Sequence, residues 1–232
     1  MLRRIGSLAV LCITAALFAS APALAGTPAN VSVRVEGASS TLLGLTNVRT
    51  TTTRTPAPGN CSGTTAAGAL QLATSGNWDH EAFVLTILGE THSFTRADPR
   101  YWAFWIDDRY AEEGICTTEL REGDRVLMLV DRAPEPEFTP TVFPLEIVSL
   151  PTEVTREAPV TVTVDKYSTA GVGSAASGVT VTGASSNQTT NASGQATLTF
   201  NTLGTFTVKG RKTGFAPTAG VSVCVHAEGG RC

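Results

Sequence analysis

The stretch Arg100–Val130, RYWAFWIDDRYAEEGICTTELREGDRVLMLV, decides how the first half of this chain is read. Tyr101 to Ile106 is aromatic and apolar, Asp107-Asp108 breaks the run with turn chemistry, and a second apolar run, Val126 to Val130, follows Gly123-Asp124. Apolar runs cut by Asp and Gly are the mark of strands pairing around tight turns. In an extended strand, Trp102, Phe104 and Ile106 share one face while Tyr101, Ala103 and Trp105 take the other. Upstream, Ala82–Leu88 (AFVLTIL) is a continuous apolar run, expected to form a strand buried on both faces. Ser62 or Thr64 can cap a short helix running to about Ala73, with Ala66, Ala67, Leu70 and Ala73 along one side and Gly76 as its stop. Further back, Val31, Val33 and Val35 alternate with Ser32, Arg34 and Glu36, the pattern of a half-buried strand. Leu42 to Val48 supplies its hairpin partner, and a Thr-rich loop runs on to Gly59. One helix can cover only one face of the central strand. The other must meet a loop, a neighbouring domain or a ligand.

Downstream, Asp131–Pro144 (DRAPEPEFTPTVFP) carries prolines at 134, 136, 140 and 144 between acidic residues, which predicts a stiff, extended linker over 133–144. From Leu145 the texture is purely β. Val160, Val162 and Val164 alternate with threonines, then come Val179 and Val181, Ala196, Leu198 and Phe200, Phe206 and Val208, and Val221, Val223 and Val225. Short alternating strands separated by Gly, Ser and Asn turns predict a β-sandwich over 145–232.

The N-terminus has the form of a secretory signal peptide over 1–25. Arg3 and Arg4 are basic, Ile5 to Phe18 is apolar, and Ala23-Leu24-Ala25 is an A-x-A cleavage site. The apolar run is too short for a membrane anchor, and no later stretch could span a bilayer, so the mature chain is expected to lack a transmembrane segment and to be secreted or associated with the cell envelope. The 17 Lys and Arg stand against 20 Asp and Glu, a net charge of −3; without Arg3 and Arg4 the remainder is more acidic still. With no basic patch, nucleic acid is not an expected partner. Cys61, Cys116, Cys224 and Cys232 remain after the leader, an even set that in an exported chain predicts disulfides. Cys61–Cys116 and Cys224–Cys232 are the expected pairs, because the alternatives would tie two domains together across a proline linker.

The opening alternating strand, the helix near Thr64–Ala73, the YWAFWIDD strand-turn and the ELREGDRVLML close together resemble the transcobalamin-like C-terminal domain family. That resemblance implies an α+β, β-grasp-like unit over 29–132 with one short helix. The turn after Trp102's strand is Asp107-Asp108 rather than the family's Asn-Gly type, and a Thr-rich insertion precedes Cys61. No residue here matches a cobalamin-enclosing role. The stretch GVTVTGASSNQTTNASGQATLTFNTLGTFTVKGRKTGF, from Gly178, is similar to bacterial immunoglobulin-like repeats of surface proteins, which implies a spacer or adhesive module. The expected fold class is therefore mostly β, a β-grasp-like domain followed by an immunoglobulin-like β-sandwich.

Catalytic motifs are missing. His80, His92 and His226 are scattered, and no Gly-x-Ser-x-Gly elbow, His-Glu-x-x-His or phosphate-cradling loop occurs. Asp107-Asp108 suits a hairpin turn better than calcium, which needs six or more oxygens. The chain is read as a non-enzyme without cofactor or metal. Tyr101 and Trp105, which share one face of the strand, are the expected recognition surface, with Trp78 a further member. Two functions fit: an exported binding or adhesion protein of the bacterial surface or medium, or a carrier of a cobalamin-like small molecule. The ligand would be a protein, a glycan or a corrinoid-like compound.

Overall fold

The computed structural model describes residues 26–132 and 139–232. The segment read as a signal peptide, 1–25, and residues 133–138 of the expected linker lie outside them. The chain is mostly β, with one helix among the described residues, and that helix is not long and apolar enough to cross a membrane.

The first unit contains β1 (Asn30–Glu36), β2 (Thr41–Arg49), α1 (Ala66–Ala73), β3 (Thr86–Ile87), β4 (Glu90–Thr91), β5 (Arg100–Ile106), β6 (Arg109–Tyr110) and β7 (Arg125–Arg132). Its main sheet runs β2-β1-β7-β5-β6. β1 and β7 lie parallel at its centre and the other neighbours are antiparallel. The quoted stretch folds as its pattern predicts: β5 and β7 pair from Arg100↔Arg132 to Ile106↔Val126. Asp107 and Asp108 both adopt positive φ (48° and 62°) between the paired Ile106 and Arg109, the two-residue hairpin turn that favours Asp.

α1 lies across one face of this sheet, where Ala66, Ala67, Ala69 and Leu70 join Val31, Val33, Val35, Trp102, Phe104, Val126 and Met128 in one core. The helix starts later than the expected caps. Thr65 is its N-cap and makes no side-chain capping bond, because Thr65 Oγ1 donates back to Ser62 O at 2.6 Å. Gly76 (φ 79°) ends the turn, donating its N–H to Gln71 O at 2.8 Å.

The second unit contains β8 (Phe143–Ser149), β9 (Glu153–Thr155), β10 (Val160–Tyr167), β11 (Gly173–Ala175), β12 (Thr180–Thr182), β13 (Gln188–Thr189), β14 (Gln195–Leu198), β15 (Gly204–Arg211), β16 (Phe215–Ala216) and β17 (Val221–His226). One sheet runs β11-β10-β8-β16, with β14 also on β10; the other runs β13-β12-β15-β17-β9. Val162, Val164, Val179, Val181, Leu198, Phe200, Val208 and Val223 meet in a single core. The inward positions are those that alternation assigned.

Cys61 is bonded to Cys116, and Cys224 to Cys232, one bridge in each unit. Both are the expected pairs.

Several expectations need correction. Ala82–Leu88 is not a buried strand. Only Thr86–Ile87 is extended, Phe83 is half exposed (51%), and the Asp79 carboxylate accepts the backbone N–H groups of Leu85 and Thr86 at 2.6 Å each, forming a loop in place of a ladder. The second unit begins upstream of Leu145, since β8 starts at Phe143. Residues 141 and 142, taken as linker, are tied down: the buried Asp131 carboxylate accepts the N–H of Thr141 at 2.9 Å and of Val142 at 3.2 Å.

A further correction concerns β1. Alternation put Ser32, Arg34 and Glu36 in water, yet Arg34 and Glu36 are each 3% exposed. The sheet face opposite α1 is covered by the second unit.

Candidate functional site

That covered face is where the recognition surface was expected. Tyr101, Ala103 and Trp105 from β5 and Leu127 and Leu129 from β7 form a core with Ala216 of β16, with Val142 and Phe143 packed against it. Trp105 has no exposed surface. Its ring meets Tyr110 edge-on at 5.4 Å and Phe143 at 6.0 Å. Tyr101 is also buried, and that burial, followed by its contact with Tyr110, pushes its phenol well above the ordinary tyrosine range. Trp78 lies in the helix-side core, its indole N–H donating to Gln71 Oε1 at 2.8 Å and its ring stacked obliquely on His80 at 4.8 Å. Of the possible covers for the second face, the neighbouring unit is the one present. An open aromatic surface at Tyr101, Trp105 and Trp78 is therefore not formed, and the structure does not bring Trp78 together with the other two.

Beside this apolar core, the junction carries charge. Arg34 donates from Nη2 to Glu146 Oε1 of β8 at 2.9 Å and from Nη1 to Glu36 Oε1 at 3.3 Å, and it also bonds the Pro217 carbonyl. Burial pushes the Glu146 carboxyl above the ordinary glutamate range, against the pull of Arg34. Nearby, Arg125 pairs with the buried Asp108 of the hairpin turn. Two further bonds cross the junction: Tyr110 N–H to Thr169 O at 3.0 Å, and Lys209 Nζ to Thr41 Oγ1 at 3.3 Å. Sequence reasoning missed the Arg34–Glu146 pair. Strand periodicity gives the side of the sheet on which Arg34 points, but not what lies there.

The apolar and ionic contacts do not fill the junction to its edge. Where the β1–β2 turn faces the end of β15, a cleft of about 680 Å³ remains open. Gly37 to Ser40 form one wall, Gly178, Thr180 and Thr213 another, and Leu129, Val142, Phe215 and Ala216 the apolar floor. Arg211 and Lys212 stand on its rim. Lys212 Nζ donates to Ser177 O at 2.7 Å and lies 5.3 Å from the centre of the Phe215 ring. Among the described residues neither cation is paired with a carboxylate. The acid in the cleft wall, Glu36, is engaged by Arg34 and by Thr41 Oγ1 at 2.7 Å.

The chain matches no protein-family model and no curated protein.

Two other depressions are shaped differently. One, of about 210 Å³, lies between Phe83 and the edge of β5 at Trp102 and Phe104. The other, of about 700 Å³, is lined by Asp107, Glu112, Glu113, Glu119 and Asp124 beside Arg109 and Arg121. Among the described residues no group of three His, Cys, Asp or Glu side chains could hold a metal ion. The histidines have structural partners. His92 is buried between Glu90 (2.7 Å) and Asp98 (3.4 Å), His80 meets Gln71, and His226 Nδ1 meets Ala227 O. Arg100, ahead of His92, holds the Asp98 carboxyl below its ordinary range.

Proposed function

We propose that this chain is an exported, non-catalytic binding or adhesion protein, in which a β-grasp-like unit and an immunoglobulin-like sandwich are docked together and take an acidic saccharide in the cleft between them. The central parallel pair, the order β2-β1-β7-β5-β6 and a helix across one face support the β-grasp-like reading. Two five-stranded sheets enclosing one core support the sandwich. Two disulfides fit an oxidising compartment.

The observation that carries the reading is the cleft itself. Its volume falls in the range of small-ligand sites, roughly 300–1,000 Å³, and its walls come from both units. Ser39, Ser40, Thr180 and Thr213 offer hydroxyl groups suited to sugar hydroxyls, Phe215 and Val142 offer an apolar patch for a ring's C–H face, and Arg211 and Lys212 offer two cations for carboxylates.

Affinity electrophoresis through gels containing alginate, a polyuronate, or neutral dextran tests this. Alginate should retard the protein and dextran should not. Arg211→Glu and Lys212→Gln should each weaken retardation about tenfold, the worth of one charge-assisted contact. Equal mobility in both gels, or retardation unchanged by both substitutions, would refute the cleft as the site.

A further inference from the structure

We infer that Gly26, the first residue left when the leader is removed after Ala25, is held as an ammonium ion by Glu119. The inference rests on reading 1–25 as a leader, and on a contact that the function of the cleft does not involve. The Gly26 backbone lies so close to the Glu119 carboxylate that a Cβ at this position would sit 2.1 Å from Glu119 Oε2 and 3.0 Å from Thr64 Oγ1. Glu119 is fixed there by the main chain, since it bridges Thr65 in antiparallel fashion and Leu120 N–H donates to Thr64 O at 3.1 Å. Among the described residues its carboxylate accepts no hydrogen bond and forms no ion pair. The nearby Glu122, by contrast, takes both the backbone and the side-chain N–H of Asn30 at 2.8 Å, and these bonds lower its carboxyl below the ordinary range.

A carboxylate without a counter-ion, folded onto the backbone where the chain enters the fold, gains a partner through processing. In the uncut chain, Gly26 offers a single amide N–H of fixed direction and no charge, and that N–H does not donate to Glu119. Hydrolysis of the Ala25–Gly26 bond consumes one water. The new carboxylate leaves with Ala25, and the nitrogen stays on Gly26 as an amine that is largely protonated at neutral pH. An ammonium group has three donors and a full charge, so it can serve Glu119 and the Thr64 hydroxyl together. Glycine is the residue that permits this approach, because any side chain would displace Glu119.

The exported protein, a chain starting at Ala25, and Glu119→Gln in each background form a double-mutant cycle. The mass of the exported chain reads the cleavage position. Glu119→Gln is expected to lower Tm by about 2 °C in the Gly26-first chain and to leave the Ala25-first chain unchanged. Labelling of the α-amine by an amine-reactive ester should be about twofold faster in the Glu119→Gln variant of the Gly26-first chain than in its parent. A mature chain starting elsewhere would overturn the leader reading and this inference with it. If the chain does start at Gly26, equal melting and equal labelling with and without Glu119 would overturn the inference alone.

Discussion

Arg34 Nη2 and Glu146 Oε1 lie 2.9 Å apart, joining the two units through a strand face that simple alternation assigns to water. The guanidinium is also bonded to Glu36 and to the Pro217 carbonyl, so a single cation engages two carboxylates, one from each unit. Removing it would leave both acids facing each other in a buried site. Arg34→Met should therefore cost about 3–5 kcal/mol, the usual result of stranding a buried charge. Chemical denaturation of wild type and variant at neutral pH measures it; a cost below about 1 kcal/mol would mean that solvent reaches the pair.

Glu146 gives the same junction a pH dependence. Its folded pKa is raised, by burial first, above the value of about 4.3 expected in an unfolded chain. A raised acid pKa contributes stability in full below the unfolded value, and that contribution is lost as pH rises through the folded value. The Tm of wild type minus that of Glu146→Gln should accordingly be larger at pH 4 than at pH 7. A difference that grows towards neutrality would show that the pull of Arg34 outweighs the burial of Glu146.

Local signals carried most of the fold and little of the junction. The inward positions of the second unit, such as Val162 and Val164 or Val223 and Val225, follow from a period of two with one wet face. The Asp107-Asp108 hairpin follows from turn chemistry. At Ala82–Leu88 the apolar composition misled, because a strand needs a partner and Asp79 had already captured the Leu85 and Thr86 amides. Trp105 and Arg34 show the larger limit. Each was placed on the correct side of its strand, but whether that side meets water, a ligand or a second unit depends on contacts between residues far apart in the chain, such as Arg34 and Glu146, which no local pattern encodes.

The shared core also predicts how the halves behave when separated. A chain of residues 26–132 would expose Tyr101, Trp105, Leu127 and Leu129 on one sheet face. An apolar patch of this kind drives self-association. This fragment should bind a hydrophobic dye and elute as an oligomer, while a chain of residues 26–232 should do neither. The partner fragment must start before Phe143, since a start at Leu145 would cut into β8. A monomeric 26–132 fragment without dye binding would show that the junction is dispensable to the first unit.

The two indoles of β5 allow a sharper test, because they are buried on opposite faces with different polar environments. Trp102 packs under the helix and donates its Nε1–H to Leu85 O at 3.1 Å, whereas Trp105 packs under the second unit and its Nε1 has no partner among the described residues. Truncation to Ala at either position removes a large buried ring and should cost about 3–5 kcal/mol. Replacement by Phe separates them. Trp102→Phe loses a hydrogen bond, although Leu85 O keeps the His92 N–H at 2.9 Å, an added cost of about 0.5–1.5 kcal/mol, while Trp105→Phe removes an N–H that has no partner among the described residues. Paired denaturant melts of the four variants should therefore rank Trp105→Phe as the mildest and both Ala variants as the most severe. If Trp105→Ala melts like wild type, its ring bears no load at the junction, and the two units do not dock through this face.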